Sequence, residues 1–100
     1  MRRGTTPTFT FETDCDCAEF DVLEIAFAQG DEVILPKALT DCMIDGHKIT
    51  ISLTEEETLL FNCKQNPVKM QIRAGKGTDR IASDIMYTTA EKILKDGCLE

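Results

Sequence analysis

Apolar and polar residues alternate along most of this chain, and this period of two is the feature that most constrains its fold. In residues 8–13, Phe9 and Phe11 fall on one side and polar residues fall on the other. The same alternation recurs at 21–28, 32–35, 47–53 and 68–73. It is typical of β-strands that bury one face and expose the other. The sequence therefore predicts a β-rich domain.

Turn signals separate these runs. Asp45-Gly46 lies between two alternating runs and is the strongest hairpin signal in the chain, because this pair accepts the backbone angles of a tight turn. Pro36 stops the run at 32–35, and since proline lacks a ladder donor it suits a strand end or a sheet edge. The run at 80–89 changes phase, which a bulge near Ser83-Asp84 would explain.

One segment carries a helical signature. Thr54 can cap the first amides of a helix, and Glu57 completes a capping box. The sequence predicts a helix over about residues 54–62. A helix this short needs tertiary contacts to be stable, and Leu59, Leu60 and Phe61 would supply them.

About seven short strands with one helical turn indicate an all-β fold, an immunoglobulin-like antiparallel β-sandwich. One hundred residues suit one domain. We expect a flexible N-terminal arm at 1–7 and a single sandwich domain at 8–100. The arm is polar and carries Pro7; ordering on a neighbouring subunit and simple fraying are both compatible with it.

Charge and hydropathy exclude two classes of partner. The formal net charge is −7 and the isoelectric point is about 4.6, so a phosphate backbone would be repelled. We therefore expect no nucleic acid partner. No apolar run approaches the roughly 20 residues that span a bilayer, and no apolar segment follows Arg2 and Arg3 as in a signal peptide. We expect no membrane partner, and synthesis in the cytoplasm.

The cysteines are odd in number and irregular in spacing, which favours reduced thiols over a disulfide framework. They are Cys15, Cys17, Cys42, Cys63 and Cys98. Cys15 and Cys17 alternate with Asp14 and Asp16. A zinc site needs companion ligands at knuckle spacing, and a redox pair is usually CxxC at a helix start. The interpretation that fits is two small apolar positions that extend the first strand.

Three other groups of residues could carry chemistry. The carboxylates of Asp14, Asp16, Glu19 and Asp21 are compatible with calcium but lack the EF-hand pattern, so we interpret them as a solvated acidic edge. Gly75-Lys76-Gly77-Thr78 lacks the spacing of a phosphate loop and is better interpreted as a hairpin turn.

The third group comprises the single histidine and the serines, which are candidates for catalysis. His47 follows a predicted turn and has no evident partner, and neither Ser52 nor Ser83 lies in a nucleophile elbow. The sequence predicts no catalytic, cofactor-binding or metal-binding residue. We therefore expect no enzyme activity and no cofactor.

Four stretches resemble a family of small proteins encoded in prophages of Gram-positive bacteria. They are Met1-Arg2-Arg3-Gly4-Thr5-Thr6-Pro7-Thr8 with Phe9-Thr10-Phe11, Ser52 to Phe61, Val68 to Arg73, and Ile93-Leu94-Lys95-Asp96-Gly97. The layout of strand, short helical turn and strand is also similar to the immunoglobulin-like N-terminal domain of phage baseplate upper proteins.

The resemblance implies a non-enzymatic phage or prophage structural protein, a tail or baseplate adaptor that acts by protein–protein docking. The implied partners are other phage structural proteins, with a homo-oligomer possible. The protein would then be a virion component synthesised in the bacterial host cytoplasm. An alternative is a small acidic phage accessory protein that binds and modulates a host protein.

Overall fold

The computed structural model describes residues 1–14 and 16–99. Within them eight strands form, with one α-helix, α1, at Glu55–Leu59 and 3₁₀ turns at Cys17–Glu19 and Leu39–Asp41. The strands are β1 Thr8–Glu12, β2 Val22–Gln29, β3 Glu32–Ala38, β4 Met43–Asp45, β5 Lys48–Ser52, β6 Val68–Lys76, β7 Asp79–Ala82 and β8 Met86–Thr88.

The strands pair into two antiparallel sheets. The three-stranded sheet has the order β1-β5-β4, and the five-stranded sheet has the order β3-β2-β6-β7, with β8 also paired to β6. If β1 to β7 are renamed B, C, C′, D, E, F and G, the order is B-E-D opposite C′-C-F-G. This is the strand order of an immunoglobulin-like sandwich that lacks the first strand. The predicted all-β antiparallel sandwich is confirmed, with eight strands where about seven were expected.

The core lies between the sheets, where the inward positions of each alternating run meet. The most buried side chains of the five-stranded sheet include Ile25, Phe27 and Val68, and Ile49 and Ile51 face them from β5. Their burial accounts for the period of two, since each such side chain stabilises the fold by about 1.5–3 kcal/mol when it is fully removed from water.

The helix closes one end of this core. Its predicted capping box is confirmed: the Glu57 amide donates to Thr54 Oγ1 at 3.2 Å, and the Thr54 amide donates to Glu57 Oε1 at 2.8 Å. The helix is shorter than 54–62. Phe61 is buried as predicted and packs edge-on against Phe27 at 6.1 Å, whereas Leu60 is exposed.

Two further strand predictions are settled by the structure. Pro36 does not end β3, which continues to Ala38, and the alternative that Pro36 lies at a sheet edge is confirmed, because β3 is the outer strand of its sheet and needs ladder hydrogen bonds on only one side. The predicted irregularity near Ser83-Asp84 is confirmed, since β7 ends at Ala82 and β8 starts at Met86. Ser83 fills the break, where its amide donates to the Ile72 carbonyl and its hydroxyl accepts from the Ile72 amide.

The prediction that Cys15 and Cys17 extend the first strand is wrong for Cys17, and Cys15 lies outside the described residues. Strand β1 ends at Glu12, and Cys17 begins a 3₁₀ turn. The physical reason is local: the Asp16 carboxylate accepts a hydrogen bond from the Ala18 amide at 3.0 Å and so caps the turn. Cys17 is nevertheless fully buried, as an apolar position would be.

The N-terminal segment contacts both α1 and the chain near its C-terminus. The Gly4 amide donates to Thr58 Oγ1 at 2.9 Å. The Arg3 guanidinium donates to the carbonyls of Phe61 and Leu59 and pairs with Asp96. The flexible arm at 1–7 stays a prediction, and these contacts weigh against it.

Candidate interaction surface

The cysteines do not form a reactive centre in the described part of the chain. Burial raises the pKa of the Cys42 thiol, and the charge of Asp41 adds to this effect. The charge of Lys37 acts in the opposite direction but does not cancel the increase. Desolvation and the neighbouring Glu55 and Glu56 likewise raise the pKa of Cys98. Thiols with raised pKa values are protonated at neutral pH and are poor nucleophiles.

His47 and Ser83 bind backbone carbonyls, Ser52 binds a threonine hydroxyl, and the three residues lie in different parts of the fold. The His47 Nδ1 atom is 3.1 Å from the Thr13 carbonyl at the tip of the β4–β5 hairpin. The Ser52 hydroxyl is 2.9 Å from Thr8 Oγ1, and the Ser83 hydroxyl donates to the Asp84 carbonyl. No group of three metal-ligating side chains forms within residues 1–14 and 16–99.

The acidic and glycine-rich segments also have structural roles. The residues Gly75 to Thr78 form the β6–β7 hairpin, as the turn interpretation predicted. Asp21 clamps this hairpin, because its carboxylate accepts from the Gly77 amide at 2.9 Å and its amide donates to the Gly75 carbonyl. Glu19 lies 3.5 Å from the Lys76 ammonium. The four residues of the predicted acidic edge, Asp14, Asp16, Glu19 and Asp21, are all exposed to solvent.

The outer face of the three-stranded sheet is polar except for Met43, an exposed side chain on the edge strand β4. Thr8 pairs with Ser52 and Thr10 with Thr50 through their hydroxyls. Glu12 lies opposite Lys48 at 3.9 Å. Cross-strand pairs of this type satisfy one another and remain in contact with water. This face is an ordinary solvated sheet surface.

The outer face of the five-stranded sheet differs from it. The strand register places its side chains in four rows: Val22–Gly75–Arg80, Ala38–Glu24–Arg73–Ala82, Pro36–Ala26–Gln71 and Val33–Ala28–Lys69–Tyr87. Most of these side chains are apolar, and Ile85 adjoins the last row. Val22, Val33, Ile85 and Tyr87 are 46 %, 56 %, 47 % and 63 % exposed.

A shallow apolar depression lies at the centre of this face. Its floor includes Ala26 and Ala28, Val33 and Ile85 flank it, and its volume is about 140 Å³. Lys69 and Gln71 also line it, and the polar ends of both side chains are bound to backbone carbonyls. Lys69 Nζ donates to the Gly30 carbonyl and Gln71 Nε2 donates to the Ser83 carbonyl. Ala26 and Ala28 remain partly exposed between them.

Two arginines occupy one end of the same face. Arg73 and Arg80 line a depression of about 270 Å³ together with Val22 and Glu24. Arg80 lies flat on β6, where Gly75 leaves room for it, and its Nη1 donates to the carbonyls of Gly77 and Asp79 at 2.8 Å each. The Arg73 side chain has no hydrogen bond or ion pair within residues 1–14 and 16–99.

Sequence reasoning missed this surface, although a signal for it exists. In β2 the alternation places Val22, Ala26 and Ala28 at positions that a half-exposed strand would fill with polar residues. Apolar residues at both alternating sets of positions are typical of a strand that is covered on both faces.

The comparisons with known proteins add no relatives: no protein-family model, curated protein or solved structure matches this chain. Among the described residues, no helix is both long enough and apolar enough to cross a membrane.

Proposed function

We propose that this protein is a non-enzymatic docking module, a phage or prophage structural protein that serves as a tail or baseplate adaptor. The observation that carries the proposal is the contrast between its two outer faces. The outer face of the three-stranded sheet carries threonine, serine and an ion pair with one exposed apolar side chain, Met43, whereas that of the five-stranded sheet carries several alanine and valine side chains. The second face is therefore the one we assign to a protein partner.

The composition of this face supports docking. Soluble monomers rarely leave large contiguous apolar patches in water. Tyrosine and arginine are enriched in protein interfaces, and both are present here as Tyr87, Arg73 and Arg80. A β-sandwich is also a rigid support, so a docked partner would meet a surface that needs little reorganisation.

The assignment to a phage rests on the resemblance in residues 1–11, 52–61, 68–73 and 93–97. Under this proposal the protein is a virion component, made in the bacterial host cytoplasm, and its partners are other phage structural proteins. A homo-oligomer remains compatible with the same surface.

Co-purification tests the proposal. The chain is co-expressed with each tail and baseplate protein encoded beside its gene, and the complexes are measured by size-exclusion chromatography with light scattering. We expect a defined complex with at least one of them. Val33→Asp places a charge on the proposed surface and should reduce the complex about tenfold, the effect of losing one interface anchor.

Met43→Asp is the matched control, because Met43 is an exposed apolar residue on the outer face of the other sheet. It should leave the complex intact. If both variants reduce the amount of complex equally, the assignment of the docking surface to the five-stranded sheet is contradicted. A complex with a host protein in place of any virion protein would favour the accessory-protein alternative.

A further inference from the structure

We infer that the partner presents an apolar contact surface bordered by carboxylate side chains, with the carboxylates directed at Arg73 and Arg80. This inference rests on the proposed docking function and specifies the chemistry of the partner.

The first argument is the sign of the charge on the outer face of the five-stranded sheet. Its four rows carry three cations, Lys69, Arg73 and Arg80, and a single carboxylate, Glu24. The chain as a whole has a formal net charge of −7. A cationic surface on an acidic protein selects a partner that is acidic at the point of contact, because complementary potentials favour encounter and penalise other orientations.

The second argument is the state of the two arginines. Arg80 is fixed before any partner binds, since two backbone carbonyls hold its Nη1 and its stem lies on Gly75. A guanidinium has five N–H donors, so donors remain for a carboxylate. Arg73 faces Arg80 across the same depression, and Glu24 is not within ion-pair distance of it. A single guanidinium can bind a carboxylate through two parallel hydrogen bonds.

The third argument is the adjacent apolar depression. The strand register places it in the two rows that follow the row of Arg73, with Ala26 and Ala28 following Glu24 along β2. An occupant that satisfies both regions therefore carries an acidic side chain next to apolar ones. A small inorganic anion would use only the arginine end and would leave the apolar depression in contact with water.

A second copy of this chain, docked through the same face, fits less well. A two-fold interface is self-complementary and would bring each set of three cations against the other set, with one Glu24 per copy to offset them. Nucleic acid also fits less well, because the alanine floor offers nothing to a phosphate and the net charge is repulsive.

Selection from a random dodecapeptide library displayed on yeast tests the inference, because such a library presents acidic and apolar side chains in many arrangements. The purified chain is the bait, and binding of selected peptides is then measured by titration. We expect peptides enriched in Asp or Glu beside apolar residues, with affinity that falls as ionic strength rises. Arg73→Glu should weaken their binding about tenfold.

Lys64→Glu is the matched control, because it makes the same charge change at an exposed position away from this face. It should leave binding within about twofold of the wild type. Circular dichroism of both variants checks that they fold. Selection of apolar peptides without acidic residues would overturn the inference. Peptide binding that Arg73→Glu leaves unchanged would also overturn it. Neither result bears on the co-purification test, which examines docking separately. A wild-type chain that dimerises in an Arg73-dependent manner would overturn it in favour of a second copy.

Discussion

Lys37 on the edge strand β3 forms an ion pair with Glu57 in α1, and both side chains are largely buried. The pair joins the five-stranded sheet to the helix that follows β5 of the other sheet, so it ties the two layers together at one end of the core. Burial alone would raise the pKa of Glu57. The hydrogen bond from Lys37, the hydrogen bonds with Thr54 and the charge of Lys37 together outweigh this effect and leave the pKa below its usual value.

The lowered pKa of Glu57 predicts a specific dependence of stability on pH. A carboxyl whose folded pKa is depressed contributes stability that is present above its unfolded pKa, about 4.3, and is lost as pH falls through the folded value. Glu57→Gln keeps an oxygen for the Thr54 amide but removes the charge. We expect it to destabilise the protein by about 1–2 kcal/mol at neutral pH and by much less in acid. Urea unfolding at several pH values measures this, and a penalty independent of pH would contradict it.

The buried hydroxyl of Thr58 organises the N-terminal segment. It accepts hydrogen bonds from the amides of Gly4 and Thr5. It also donates toward the carbonyls of Thr5 and Glu55. Thr58→Val keeps the shape and removes these bonds. We expect a loss of about 1–3 kcal/mol in unfolding free energy and faster amide exchange at Gly4 and Thr5.

Thr10→Val is the control for Thr58→Val, because Thr10 lies on the solvated face of the three-stranded sheet. It should change stability by less than about 0.5 kcal/mol. If both variants leave the exchange of the Gly4 and Thr5 amides unchanged, and these amides are already unprotected in the wild type, residues 1–7 behave as the flexible arm that the sequence predicted.

Gln29 is a buried amide that holds the loop after α1. Its Nε2 donates to the carbonyls of Asn62 and Gln65 at 2.7 and 3.2 Å, and its Oε1 accepts from the Asn62 amide at 2.8 Å. Gln29→Leu fits the space but leaves backbone groups without partners, which should cost about 2–3 kcal/mol. Thermal unfolding compared with Gln71→Leu, at a partly exposed position on the outer face, measures the difference. Similar melting temperatures for both variants would contradict this role.

The sequence predicted what depends on local chemistry. The period of two located the strands, Thr54 and Glu57 located the helix start, and Asp45-Gly46 located a hairpin. These signals need only residues that are neighbours along the chain. The Asp16 cap is equally local, and attention to the short side chain before Cys17 would have predicted a turn there in place of a longer strand.

Long-range relationships were beyond sequence reasoning. Lys37 meets Glu57 because β3 and α1 are brought together by the sandwich topology, and nothing in either segment indicates the other. The same holds for the outer face of the five-stranded sheet, where Arg73 and Arg80 become neighbours only through the register of β6 with β7. The sequence could not decide whether Pro36 ends a strand or lies within an edge strand, because the position of β3 at the edge is a property of the whole sheet.

Gly75 is the position where stability and docking are most directly linked. A Cβ atom there would lie 2.8 Å from the Asp79 carbonyl and 2.5 Å from Arg80 Nη1, and the carbonyl belongs to the backbone of the hairpin. Gly75→Ala should therefore shift β7, destabilise the protein by about 1–3 kcal/mol and displace Arg80 from the docking face. We expect faster amide exchange in β7 and weaker binding of the acidic peptides. Ser52→Thr, which also adds one methyl group but at an exposed position on the outer face of the three-stranded sheet, should leave both properties close to the wild type because strands accept β-branched residues. A Gly75→Ala chain with wild-type exchange in β7 would show that Arg80 does not rest on Gly75 in solution.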